Sequence, residues 1–152
     1  MREIKFRAWD KKEKRMYEWP FIIHFFDEEI RVHKEGYGYI HIPMDDIELL
    51  QFTGLKDRNG KEIYEGDILI YRNNMSVKNP GVPFDSYHKV CFGEYDFGEY
   101  EDQEDGYGWY IQDIDVENYG SSLTPISSDM YEVIGNIHEN PELLQTNEST
   151  SQ

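Results

Sequence analysis

Apolar and polar residues alternate at the start of the chain, where Ile4, Phe6 and Ala8 interleave with Glu3, Lys5 and Arg7. A helical stripe from Ile4 would need apolar groups at 7, 8 and 11, but Arg7 and Lys11 stand at two of these, so the pattern predicts a strand over 2–9 with one buried face. Residues 10–14 are polar, and Met16-Tyr17-Glu18-Trp19 returns as a second strand. Arg2, Lys5, Arg7, Lys11, Lys12, Lys14 and Arg15 then fall on the solvent face and loop of one hairpin. Ile30-Arg31-Val32 and the run from Tyr37 to Ile42 add strand-like pieces, punctuated by Gly36. Asp45-Asp46-Ile47-Glu48 and Asn140-Pro141-Glu142-Leu143-Leu144 carry helix-start chemistry, yet the apolar runs behind them predict only one or two turns each.

Two further strands, over 50–57 and 61–71, flank Asn59-Gly60. A two-residue turn would set Arg58 opposite Lys61 and Asp57 opposite Glu62, both like-charge pairs. A three-residue loop of Arg58, Asn59 and a left-handed Gly60 instead pairs Asp57 with Lys61, Lys56 with Glu62 and Leu55 with Ile63, so the longer loop is predicted. Glu65-Gly66-Asp67 makes a second turn, and the unbroken run Ile68-Leu69-Ile70-Tyr71 reads as a buried strand. Residues 73–86, rich in Asn, Pro, Gly and Ser, read as a mobile loop. Strands follow over 88–93, 107–115 and 131–137, the last interrupted by Gly135, and 145–152 is predicted to be a disordered tail. These elements predict a mainly β fold: a single domain of antiparallel strands over 1–144, with one or two short helical turns and one hydrophobic core.

Composition agrees with a packed chain, since 38% of residues are hydrophobic and 15% aromatic. No apolar run approaches the ~18 to 20 residues of a membrane span, the first residues lack the apolar block of a secretory signal, and Cys91 is a single cysteine. The expectation is a cytoplasmic protein with no membrane partner.

Charge changes the picture more. Residues 1–89 hold fifteen Lys and Arg against sixteen Asp and Glu, a net of −1, whereas 90–152 hold fifteen acids and no Lys or Arg, a net of −15. Seven of those acids lie in the stretch 94–105, predicted to be an exposed, mobile acidic connection because unpaired carboxylates are costly to bury. Aromatic residues interleave with it. Glu99, Glu101, Asp102, Glu104, Asp105, Trp109 and Tyr110 are therefore the candidate binding residues, suited to a basic protein partner. The N-terminal hairpin carries seven positive charges against Glu3, Asp10 and Glu13, which makes nucleic-acid binding through that hairpin the alternative.

Few patterns in the chain carry chemistry. His88 and Cys91 are the one closely spaced pair of soft ligands, and zinc needs a second pair, so no metal is expected. Gly106 fits the glycine of a calcium loop, but Gln112 then stands where a bidentate Glu belongs. The glycines around Lys61 are spaced one residue too far apart for a phosphate loop, and Glu62 would repel phosphate. Ser121-Ser122 has no His close by in sequence, and no nucleophile elbow occurs. The expectation is a non-enzymatic module with no cofactor.

Three blocks together resemble the YopX-like family of phage and prophage proteins. They run from Arg2 to Asp10 (REIKFRAWD), from Gln51 to Ile68 (QFTGLKDRNGKEIYEGDI) and from Tyr131 to Leu143 (YEVIGNIHENPEL). The resemblance implies a phage or prophage origin, a mainly β fold with barrel-like parts, and self-association. It implies no established activity and brings no catalytic residue. The many aromatic residues suit a homo-oligomer interface as well.

Overall fold

The computed structural model describes residues 3–73, 84–97, 105–116 and 119–145. The chain forms two compact units, Met1–Phe52 and Thr53–Gln152. In the first, β1 (Phe6–Asp10) pairs antiparallel with β2 (Arg15–Tyr17) on one side and with β6 (Ile47–Lys56) on the other. A separate antiparallel sheet has the order β3 (Ile22–His24), β4 (Glu29–Lys34), β5 (Gly38–Pro43). A single 3-10 turn, Met44–Asp46, leads from β5 into β6. Ala8, Phe21, Ile30, Ile42 and Ile47 form the core of this unit. Asp10 is buried, and its Oδ1 accepts the N–H groups of Lys12 and Glu13 at 2.9 Å each, which shapes the polar connection after β1.

The face assigned to the first strand is corrected. Ile4 is 64% exposed, whereas Lys5 and Arg7 are only 9% and 7% exposed. β1 has neighbours on both edges and is covered on both faces, so simple alternation does not sort its residues. Lys5 buries its stem, with Nζ 4.6 Å from the centre of the Phe52 ring and 3.3 Å from Glu3 Oε1.

In the second unit, β7 (Glu62–Tyr64) follows the end of β6, and a five-stranded antiparallel sheet has the order β11 (Gly120–Ser122), β10 (Asp105–Asp113), β9 (Phe84–Asp96), β8 (Asp67–Asn73), β12 (Tyr131–Asn136). Ile111 of β10 and Val133 of β12 belong to one buried cluster with Ile63, Leu69, Val90, Leu123 and Tyr131, so the sheet curls around its own core. That curl is the barrel-like part. Among the described residues, one buried apolar cluster lies within each unit.

The central block folds as the turn chemistry requires. Gly60 has φ +80°, its N–H donates to Asp57 O at 2.9 Å, and Asp57 N–H donates to Lys61 O at 2.8 Å, which is the three-residue loop. Asp57 thus stands opposite Lys61 as expected, and its carboxylate bonds the backbone of the loop. Asp57 is 3% exposed, and its Oδ1 accepts the N–H groups of Asn59 (2.8 Å) and Lys61 (2.9 Å). Gly66, at φ +79°, makes the second turn, and the fully buried Asp67 accepts the Tyr64 N–H at 2.8 Å.

Three other boundaries differ from expectation. β9 begins at Phe84, so the end of the stretch read as a loop over 73–86 is strand, while 74–83 lie outside the described residues. The helix Pro125–Ser128, α1, escaped the sequence reading although Thr124 and Ser127 form a reciprocal capping box. Asn140 precedes the 3-10 turn Pro141–Leu144, but its side chain accepts the Asn136 N–H at 3.2 Å rather than capping the turn. The tail residues 146–152 lie outside the described residues.

Candidate functional site

The stretch predicted as an acidic connection is shorter than expected, because β9 continues through Asp96 and β10 starts at Asp105. Within this longer hairpin Gly93 and Gly108 face each other in register. Glu99, Glu101, Asp102 and Glu104 lie outside the described residues, as does the mobility assigned to them. Asp105, Trp109 and Tyr110 are all on β10, where alternation divides them between two faces.

On one face, the register pairs Phe92 with Trp109, Glu94 with Tyr107 and Asp96 with Asp105. Phe92 touches both neighbouring rings, with centroids 4.7 Å from Trp109 and 5.4 Å from Tyr107. Tyr107 is 75% exposed, Phe92 is 44% exposed, and Glu94, Asp96 and Asp105 are exposed. Trp109 is half-buried and packs against the core, so it anchors this strip. On the opposite face, the Tyr110 ring packs at a tilt against Tyr95 (5.2 Å) and edge-on against the buried Phe97 (5.9 Å). Tyr110 therefore belongs to a separate aromatic group. Burial raises the pKa of its hydroxyl, with Cys91 contributing in the same direction.

The basic hairpin offers less than its sequence suggested. Lys5 and Arg7 are buried, and Lys12 Nζ lies 2.8 Å from Asp46 Oδ2, a hydrogen bond that raises its pKa.

Sequence reasoning missed a second place in the same unit. A cavity of about 410 Å³ is lined by Tyr71, Ser86, His88, Asp113, Met130 and Tyr131, with Val116 and residues 119–121 completing the wall. Alternation puts Ser86 and His88 on one face of β9, and the register sets His88 directly opposite Asp113. Ser86 Oγ is 2.9 Å from His88 Nε2, and His88 Nδ1 is 3.9 Å from Asp113 Oδ2. Asp113 Oδ1 accepts the N–H groups of Asp115 (2.8 Å) and Val116 (2.7 Å), which fixes the carboxylate. Burial lowers the His88 pKa, against the opposing pull of Asp113 and Asp115. Burial likewise pushes the Tyr131 hydroxyl up to about 12. His88 and Cys91, close in sequence, lie an odd number of residues apart on one strand and so face opposite sides of the sheet.

The described residues thus make a mostly β protein with two glycine-directed turns, a curled antiparallel sheet and buried turn aspartates. This chain belongs to the YopX family, whose model, described as YopX protein, matches residues 5–145. Among solved structures it is similar to protein EF1440 from Enterococcus faecalis, with 31% sequence identity and a TM-score of 0.54, covering 94% of this chain and 99% of that one. Among curated proteins none matches. No helix among the described residues is long and apolar enough to cross a membrane.

Proposed function

We propose that this chain is a phage or prophage accessory protein that acts as an interaction module, taking a Lys/Arg-rich segment of a partner protein on the exposed face of the β9–β10 hairpin. The observation that carries the reading is the cross-strand pair Asp96 and Asp105, set at the end of a strip of exposed rings. Like charges directly opposite each other destabilise a ladder, and a cation between them removes that penalty. Phe92, Tyr107 and Trp109 beside them supply ring faces for a guanidinium or ammonium group and an apolar track for its stem. Aromatic anchors of this kind dominate many interfaces, and the −15 net charge of residues 90–152 favours encounter with a basic partner.

The test is a fluorescence titration of the full chain with an oligolysine peptide and, in parallel, with an oligoglutamate peptide and a short oligonucleotide. Salt-sensitive binding of oligolysine alone supports the reading. Binding of the oligonucleotide at low salt would support the basic hairpin instead, and no response to oligolysine would remove the proposal.

A further inference from the structure

We propose that Ser86, His88 and Asp113 form a nucleophilic triad, and that the adjoining cavity receives the acyl group of a small uncharged ester. The proposal does not depend on the docking strip, since His88 pairs with Asp113 at one end of the β9–β10 register and Asp96 with Asp105 at the other.

The order of atoms is what such chemistry needs: a hydroxyl within hydrogen-bond reach of one imidazole nitrogen, and a carboxylate beside the other. Ser86 Oγ stands 2.9 Å from Nε2. When that hydroxyl donates, the ring proton sits on Nδ1, which is buried, has no hydrogen-bond partner among the described residues, and lies 3.9 Å from Asp113 Oδ2. That gap exceeds a hydrogen bond by about 1 Å, and catalytic hydrogen bonds of this type tighten when substrate is bound. Asp113 cannot swing away, because Asp115 and Val116 hold its other oxygen. His88 is 6% exposed, and the Tyr131 ring packs edge-on against it at 5.3 Å, which fixes the imidazole plane. A neutral imidazole follows from that burial, which is the protonation state a general base requires.

The cavity sets the substrate class. Its volume of about 410 Å³ is that of a small-molecule site. Tyr71, Val116, Met130 and Tyr131 give it an apolar wall, and among the described residues lining it there is no Lys or Arg to hold an anion. In the reaction, Ser86 Oγ attacks the carbonyl carbon while its proton passes to His88 Nε2. The bond from carbonyl carbon to the departing alkoxy oxygen breaks, and the alcohol leaves with that proton. Water then gives a proton to Nε2, attacks the acyl carbon and releases the carboxylic acid, and the proton returns to Ser86. Tyr131, protonated throughout the neutral range, also lines this cavity, and the proposal gives its hydroxyl the part of donor to the developing oxyanion.

A serine that merely satisfies a buried histidine would be inert, so the test reads nucleophilicity. The folded full chain is incubated with an alkyl fluorophosphonate and analysed by intact mass and peptide mapping, with hydrolysis of 4-nitrophenyl butyrate measured alongside. The expected result is one adduct on Ser86, absent in Ser86→Ala and formed at least tenfold more slowly in His88→Gln and Asp113→Asn. Ester hydrolysis should rise with pH as His88 loses its proton. Near-UV circular dichroism of each variant separates loss of fold from loss of chemistry. An unlabelled native chain, labelling that survives Ser86→Ala, or an unchanged rate in a folded His88→Gln would overturn the proposal.

Discussion

Asp57 Oδ2 accepts the backbone N–H of Val133 at 2.9 Å, joining the loop after β6 to the strand β12 across 76 positions of sequence. The same carboxylate holds the N–H groups of Asn59 and Lys61, so one buried side chain both shapes its turn and docks β12. Asp57→Ala leaves three backbone donors without this acceptor and should cost roughly 3 kcal/mol or more. Asp57→Asn should also destabilise, because its amide turns a donor toward a donor. Urea denaturation of both variants checks this, and a midpoint unchanged in Asp57→Ala would show that the turn does not depend on the carboxylate.

Gly120 has no room for a side chain. A Cβ there would press on the Ile111 carbonyl oxygen and the Phe97 ring, and that ring is already held by Tyr95, stacked on it, and by Tyr110, edge-on to it. Gly120→Ala should therefore destabilise by about 1 to 3 kcal/mol, the usual range for overpacking. Thermal melting gives the value, and a variant as stable as the native chain would mean that β11 shifts freely.

These two cases show what was legible in the sequence. Gly60, Gly66 and the loop length followed from local turn chemistry and charge pairing, which need no knowledge of distant partners. The burial of Lys5 and Arg7 did not follow, because alternation identifies a buried face only when the other face meets water. β9 was cut short on both sides because Ser86 followed a turn-rich run and Glu94 and Asp96 read as loop residues. The His88–Asp113 pairing depends on the register between β9 and β10, two segments separated by the acidic run, and no local signal fixes it. Phe92 and Tyr107 became part of the candidate face only once that register was known.

His88 links stability to pH. Its pKa is lowered by burial from the ordinary 6.5, so between the folded value and 6.5 the unfolded chain binds more protons. Stability is then fully present above about pH 6.5 and falls as pH drops toward the folded value. Asp113 and Asp115 oppose this, so Asp113→Asn should steepen the loss. Melting temperature followed from pH 7.5 to 5 should decline less in His88→Gln than in the native chain; equal slopes would show that His88 does not titrate against the fold.

Self-association is expected from the family resemblance and from two adjacent exposed rings on the β3–β4 turn, Phe25 at 78% and Phe26 at 94% exposure. Light scattering at micromolar concentration should report a particle heavier than 18.1 kDa, and the double substitution Phe25→Ser, Phe26→Ser should lower the mass. A native chain that stays at the monomer mass rules this out.

The docking proposal is tested most directly by Asp96→Lys, because fold and function predict opposite signs. A lysine opposite Asp105 turns a repulsive cross-strand pair into an attractive one, so stability should rise by about 0.2 to 1 kcal/mol. It also occupies the position meant for the partner's cation, so affinity for an oligolysine peptide should fall roughly tenfold and its salt dependence should flatten. Calorimetric titration at low and physiological salt, paired with a melting curve, measures both. A variant that is more stable and binds less supports the account, whereas one that binds oligolysine as tightly as the native chain contradicts it.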